Sequence, residues 1–195
     1  MDTTRENALA ILNEHVKGPA LIRHCLAVEA SMREYARRLG EDEERWGFVG
    51  LIHDFDFEMH PTLDEHPQDG APILREKGVP EEIIRDVLSH AEHTSVPRDT
   101  ALRKALAAVD ELSSFVVAVA LVRPSKSLDD VKPRSVKKKM KDKAFARAVD
   151  REEMLRAAED FGVEFDEHIR TVVEGLKPAS AELGLAAPER VGSGD

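Results

Sequence analysis

Gly50-Leu51-Ile52-His53-Asp54 places a histidine and an aspartate side by side at the end of an apolar segment. Trp46 and Val49 share a helical face with His53, so the spacing predicts a helix whose buried side ends on the His-Asp pair. Phe55-Asp56-Phe57-Glu58 then breaks the helical pattern. A polar pair on a buried face requires partners, and a divalent metal ion would satisfy both side chains.

Helical periodicity extends over nearly the whole chain, and strong strand alternation is not seen. The sequence therefore predicts an all-α fold, a compact single-domain helical bundle over residues 1–185. The core motif region spans residues 20–123, and further helices follow within residues 129–185. The small and polar residues 186–195 predict a disordered tail.

Three helix predictions carry most of the fold. A helix from Leu21 to Leu39 ends at Gly40, and Asp42 is the expected N-cap of the next helix. Pro67, directly after His66, is expected at the first position of another helix. The longest helix is predicted from Thr100 to Val122 and should be the buried central one. The β-branched residues 115–122 leave a strand open, but the length of the periodic run favours a helix.

Composition excludes several classes of protein. Apolar residues make up 42% and charged residues 34% of the 195 residues, which suits a folded core, and the net charge of −10 argues against a nucleic-acid partner. No apolar run reaches the roughly 18 residues that cross a bilayer, and the first residues lack the apolar part of a signal peptide. The single cysteine, Cys25, excludes a disulfide within the chain. We expect a cytoplasmic protein without a membrane partner, and a homo-oligomer is possible.

Two more polar residues fall on buried helical faces. His24 shares a face with Leu21 and Val28, and Asp110 lies on the face of Leu106 in the predicted central helix. With His53 and Asp54 they make four inward-facing polar groups from three helices. Two buried carboxylates are costly unless they are paired or bind a metal. Two histidines with two aspartates suit Mn, Fe, Co, Ni or Zn; the alternative is a polar core in which the four bond to one another.

The pattern His24 … His53-Asp54 … Asp110 resembles the HD-domain superfamily of metal-dependent phosphohydrolases, over roughly residues 22–121. The sequences at residues 21–28 and 118–124 resemble its HDIG-type subgroup of predicted hydrolases. The resemblance implies a helical bundle with those four residues as metal ligands and Asp54 also as a catalytic residue. It implies one or two divalent ions (Mn, Fe, Co, Ni, Zn or Mg) and a phosphomonoesterase or phosphodiesterase acting on a nucleotide or other small phosphorylated metabolite.

The same resemblance gives roles to three further histidines. His66 and His90 fall where two-metal members carry extra ligands, so they are candidates for a second metal or for phosphate binding. His93 is a candidate contact to the substrate phosphate. The alternative is that these histidines cap helix ends or face solvent. The remaining histidines are expected at the surface: His15, His60 and His168.

Phe57 departs from the family pattern, because sibling families keep a lysine or a glutamate three residues after the aspartate. Asp56 is a candidate catalytic base in its place, with Glu58 as a substitute and a simple loop turn as the alternative for Asp56. The departure also leaves open a non-catalytic, metal-dependent nucleotide-binding or regulatory module, or a metal that only stabilises the fold.

One basic segment remains, with Lys137, Lys138, Lys139 and Lys141 shortly after Arg123. It could contact anionic ligands, although a solvated helix face is the commoner explanation of such a run.

Overall fold

A computed structural model describes residues 1–187, and in that part of the chain it is helical without strands. Within residues 1–187, nine α-helices follow one another, with short 3₁₀ segments at Glu92–Thr94, Leu128–Asp130 and Lys177–Ala179. The helices are α1 (Arg5–His15), α2 (Pro19–Leu39), α3 (Glu43–Ile52), α4 (Ala71–Glu76), α5 (Glu81–Leu88), α6 (Ala101–Leu121), α7 (Pro133–Met140), α8 (Arg151–Phe161) and α9 (Phe165–Leu176). The predicted all-α fold is confirmed.

The ends of the helices follow local chemistry. Gly40 ends α2 with a φ of 72°, a conformation that glycine adopts without steric cost. The side chain of Asp42 accepts hydrogen bonds from the amides of Glu44 and Arg45, so its predicted role as N-cap of α3 is confirmed. Thr100 caps α6 in the same way through the amide of Arg103.

Helix α6 is the buried axis of the bundle. It packs against α2, α7, α8 and α9, and the side chains of Phe115 and Val116 are fully buried. Residues 115–122 are helical up to Leu121, so a strand there is excluded. The prediction of a single longest helix is not met, because α2 and α6 both have 21 residues.

Gly50 lets α2 and α3 approach closely. A Cβ atom at Gly50 would lie 3.1 Å from the backbone of Glu29, which is closer than an unstrained contact. The close approach brings the end of α3 beside α2 and α6. Gly50 therefore helps to position His53 and Asp54, which follow it three and four residues later.

Two predictions about local structure are wrong. The helix expected at Pro67 begins at Ala71 instead, with Pro72 in its first turn, and turns occupy the preceding residues. Both prolines suit the first turn of a helix, and the sequence alone does not choose between them.

His168 was expected at the surface but is fully buried in α9. The Tyr35 hydroxyl donates to its Nδ1 at 2.5 Å, and its Nε2 donates to the carbonyl of Ala108 at 2.9 Å. These two bonds allow a neutral imidazole inside the core. His15 is also largely covered, with its side chain 15% exposed.

The tail predicted at 186–195 falls almost wholly outside the described residues. Ala186, at its start, donates its amide to the carbonyl of Lys126 at 2.9 Å. A hydrophobic cluster of described residues extends from Ala8 to Leu185, and the single domain at 1–185 stays a prediction.

Candidate metal centre

Three helices bring the four predicted ligands together. Nε2 of His24, from α2, lies 3.3 Å from Oδ2 of Asp54 and 3.2 Å from Oδ1 of Asp110, from α6. Nε2 of His53, the C-cap of α3, lies 3.0 Å from Nε2 of His24 and 3.4 Å from the same oxygen of Asp110. Asp54 lies one residue beyond that cap, in the turn that follows α3. The sequence-predicted set thus converges on one point.

A second group adjoins the first. Nε2 of His66 lies 3.2 Å from Oδ1 of Asp54, and Nε2 of His90 lies 3.4 Å from the same oxygen. The two imidazole nitrogens are 3.0 Å apart. Both groups, His24–His53–Asp54 and Asp54–His66–His90, have the ligand atoms and spacing that could hold a metal ion.

Asp54 belongs to both groups, and its Oδ1 lies 3.6 Å from Nε2 of His53 in the first group. Its Oδ2 faces His24, and its Oδ1 faces His66 and His90. The side chain is only 15% exposed, so water cannot fully solvate its charge. A carboxylate in this position could serve as a ligand in either group.

The hydrogen bonds of the imidazoles fix which nitrogen is free. Nδ1 of His53 donates to the carbonyl of Gly50 at 2.8 Å, and Nδ1 of His90 donates to the carbonyl of Val87 at 2.6 Å. A carbonyl oxygen only accepts, so in the neutral ring Nε2 carries a lone pair and is available as a metal ligand.

The other two rings follow the same arrangement. Nδ1 of His24 lies 2.7 Å from Oγ of Ser114, and Nδ1 of His66 lies 3.0 Å from Oδ1 of Asp56. When Nδ1 carries the proton in both neutral rings of a group, the two Nε2 lone pairs face each other across 3.0 Å. Lone pairs at that distance repel unless a proton or a metal cation lies between them, so these donors fit a divalent metal.

The electrostatic field at the centre is strongly attractive to cations. Burial disfavours the charged form of His24, but the carboxylates of Asp110 and Asp54 outweigh it and raise its pKa to about 10. Burial also lowers the pKa of His66, but Asp54 and Asp56 outweigh it and raise that pKa to about 9. The imidazoles of His53 and His24 in turn outweigh burial and hold the pKa of the Asp110 carboxyl far below its usual value. A metal would displace these protons and take their place.

The two candidate bases, Asp56 and Glu58, lie away from the point where the ligands meet. Asp56 is fully buried behind His66, and Glu58 accepts hydrogen bonds from the amides of Lys17 and Gly18 before α2. Glu58 therefore supports the chain at the start of a helix and is absent from the walls of the cavity described below. Asp56 is placed to orient His66.

His93 lies near the second group without joining it. Its Nε2 donates to the carbonyl of His66 at 2.9 Å and lies 3.2 Å from Oε1 of Gln68. The ring still lines the cavity above the metal groups. It is therefore placed to contact a ligand but is not among the candidate metal ligands.

A cavity of about 750 Å³ opens onto both groups. Phe57 and Leu63 form an apolar part of its wall and are 42% and 74% exposed. The opposite wall is charged and comes from the loop after α5, from α6 and from α8: Glu92, Arg98, Glu111, Asp150, Glu153 and Arg156. This volume is within the range of small-molecule sites.

The charged wall is the part that sequence reasoning missed. Arg98 donates to the carbonyls of Ser89 and His90 at 3.0 and 2.6 Å, and pairs with Glu153 of α8 at 3.1 Å. It thus links a candidate metal ligand to a helix more than fifty residues away in the sequence. Spacing within one helix gives no signal for such a contact. Glu111 also lines the cavity, and burial together with Asp110 raises its pKa to about 7.

A scan against protein families gives one match, to the HD domain, over residues 21–121. The matched segment is just over half of the chain and contains every predicted metal ligand. The chain belongs to the HD domain family. Searches of curated proteins and of solved structures found no match.

Proteins of the HD domain family are typically metal-dependent phosphohydrolases, and the histidine and aspartate groups of this HD domain are compatible with metal binding. None of its described helices is long and apolar enough to cross a membrane.

Proposed function

We propose that this HD domain is a metal-dependent phosphohydrolase that acts on a nucleotide or another small phosphorylated metabolite. One observation carries the proposal: Asp54 lies between two pairs of imidazole nitrogens at the base of a cavity of about 750 Å³. The resemblance to the HDIG-type subgroup is consistent with it and stays a prediction.

The residues that would hold the first ion are His24, His53, Asp54 and Asp110. Those that would hold a second are Asp54, His66 and His90. Divalent ions there would supply Lewis-acid stabilisation of the phosphoryl oxygens and increase the acidity of a water molecule. The identity of the ion is open among Mn, Fe, Co, Ni, Zn and Mg.

The chain's own residues would orient and enclose the substrate. Asp54 would fix the separation of the two ligand groups, and Asp56 would hold the ring of His66 in place. His93 would donate to a phosphate oxygen after its Nε2 gives up its contacts with the carbonyl of His66 and with Gln68. A phosphate ester bound over Asp54 would place its organic part in the cavity.

The exposed side chains of Phe57 and Leu63 favour a substrate with an apolar or planar part. An exposed aromatic ring beside a polar centre is typical of a stacking surface, and the ring of Phe57 already packs edge-on against His66 at 5.2 Å. This supports a nucleotide more than a short polyol phosphate.

A metal-loaded preparation should be screened against nucleotide mono-, di- and triphosphates, cyclic nucleotides and aryl phosphates. Asp54→Asn should reduce turnover more strongly than mutation of a residue that only supports a metal ligand, which typically costs roughly 10- to 100-fold. Asp64→Asn is the matched control, because Asp64 is an exposed aspartate ten residues away that does not line the cavity.

A fully metallated protein with no turnover on any of these substrates would overturn the proposal. That outcome would favour the second candidate, a metal-dependent nucleotide-binding module. Phe57 is the observation behind this second candidate, since related families keep a charged side chain at the corresponding position.

A further inference from the structure

The basic residues of this acidic chain are concentrated far from the metal centre. Residues 123–149 hold ten of the 28 lysines and arginines but only three of the 38 acids. The chain as a whole has a net charge of −10, so this positive charge is local. It lies on the segment that joins α6 to α8 and includes α7.

This segment forms one side of a second cavity, of about 490 Å³, between the end of α6 and α7. Its walls combine apolar atoms from Val122 and Pro124 with three cations and one acid, namely Arg123, Lys138, Lys139 and Asp142. We call these six residues the basic pocket. Val122 is 57% exposed, so apolar surface as well as charge faces solvent there.

Two of the cations in the basic pocket have unused binding capacity. Nε of Arg123 is buried and has no hydrogen-bond partner among residues 1–187. Such an unpaired buried donor costs free energy, which an acceptor on a ligand would recover. The side chain of Lys138 is exposed and has no ion pair within the described part of the chain.

The two lysines that flank Lys138 already have partners within the protein. Lys137 pairs with Asp166 of α9 at 2.6 Å, which holds α7 against the bundle. Lys139 lies 3.9 Å from Asp142 and 4.7 Å from the centre of the Phe145 ring. Lys137 is therefore engaged in packing, whereas Arg123 and Lys138 remain available to an anion.

We propose that the basic pocket is a second binding site, for a small organic anion in which a phosphate or sulfonate group is joined to an apolar body. The acidic head binds Arg123 and Lys138, and the body contacts Val122 and Pro124. The volume of the pocket lies within the range of roughly 300–1,000 Å³ for such ligands. Bidentate contact with a guanidinium favours a phosphate or sulfonate head.

The site is separate from the metal centre. Arg123 follows Asp110 by thirteen positions along α6 and its end, which corresponds to about 20 Å at 1.5 Å per residue. None of the pocket residues lines the cavity over the metal groups. A ligand bound here would therefore leave that cavity open to substrate.

The test is a fluorescence titration of the full, metal-loaded protein with anilinonaphthalene sulfonate, which joins a sulfonate to aromatic rings and cannot be hydrolysed as a phosphate ester. We expect saturable binding that inorganic phosphate weakens by competition. The double variant Arg123→Ala/Lys138→Ala should raise Kd at least about tenfold, the usual effect of losing a charge-assisted contact.

The control variant Lys141→Ala/Lys143→Ala removes the same charge from exposed positions outside the pocket and should leave Kd within about twofold. Asp54→Ala, which disrupts the metal centre, should also keep the binding. If the double variant does not fold, Lys138→Glu replaces it, because Lys138 is exposed. Three outcomes overturn the proposal: no saturable binding, equal weakening by both double variants, or loss of binding in Asp54→Ala.

Discussion

The carboxylate of Asp56 accepts a hydrogen bond from Nδ1 of His66 at 3.0 Å, and it does so with no exposure to solvent. Its other oxygen has no hydrogen-bond partner within the described residues, and it lies against Gly70, where an added Cβ atom would come within 2.7 Å of it. The fold thus buries an acidic side chain against the imidazole that it orients. That arrangement makes His66 a stronger ligand than an isolated histidine.

Asp56→Asn tests this support directly. The amide keeps the size of the side chain but removes the charge, so the affinity of the second group for metal should fall about 10- to 100-fold. We expect elemental analysis of the dialysed variant to show loss of one ion per chain while the first is retained. Asp69→Asn, an exposed change in the same loop, should keep the wild-type metal content. Unchanged metal content in Asp56→Asn would contradict the role given to Asp56.

Removal of metal should abolish activity but leave the helices folded. The core does not depend on the centre, and without metal the raised pKa of His24, about 10, keeps a proton near Asp54 and Asp110 to offset their charge. The free energy of unfolding should fall by the amount that a bound ligand contributes. For a metal at a free concentration a thousand times its Kd, this is about 4 kcal/mol. Circular dichroism and thermal melting before and after chelation measure both effects. Global unfolding on chelation would instead identify a structural ion.

Phe57→Ala should change which substrates are preferred. Loss of stacking on a nucleobase costs about 1–3 kcal/mol, so kcat/KM for a nucleotide should fall roughly 5- to 150-fold. A short alkyl phosphate should be little affected, because it does not reach the ring. Met59→Ala removes a similarly exposed side chain outside the cavity and serves as the control. Equal losses on both substrates would show that Phe57 shapes the centre and not the specificity.

His168 should make the protein less stable in mild acid. Burial lowers its pKa from the ordinary 6.5 to about 4. Between about pH 6.5 and about pH 4, the unfolded chain therefore binds a proton at this residue and the folded protein does not. The free energy of unfolding should therefore fall by about 2 kcal/mol between about pH 7.5 and about pH 5 from this group alone.

Urea unfolding of wild type and His168→Gln at both pH values isolates this contribution. The glutamine can keep bonds to Tyr35 and Ala108 but does not titrate, so the variant should lose less stability on acidification. His60→Gln, at a partly exposed position, should behave as wild type. An identical pH dependence in wild type and His168→Gln would show that folding does not lower the pKa of His168.

Much of the first metal group could be predicted because its signal is local. His24 and Asp110 lie at helical spacing from apolar residues, and His53 and Asp54 are adjacent, so periodicity alone points them inward. His168 carried the same signal, at three and four residues from Phe165 and Val172, yet was predicted at the surface. Its burial depends on the hydroxyl of Tyr35, which no spacing within α9 indicates.

The second group and the cavity wall could not be derived in this way. His66 and His90 lie in turns, where the direction of a side chain depends on the path of the loop. Only the resemblance to a family assigned them a role. The contact of Arg98 with Glu153 joins segments that meet through the packing of α8 on α6, which a sequence without long-range information does not reveal.

Helix α8 lies outside residues 21–121, the part shared with the family, yet Glu153 and Arg156 line the cavity and Arg98 ties the helix to the backbone of His90. Part of the wall that a substrate would touch is thus encoded outside the stretch that carries the candidate metal ligands. Substitutions in α8 can therefore reshape this wall while those ligands stay unchanged.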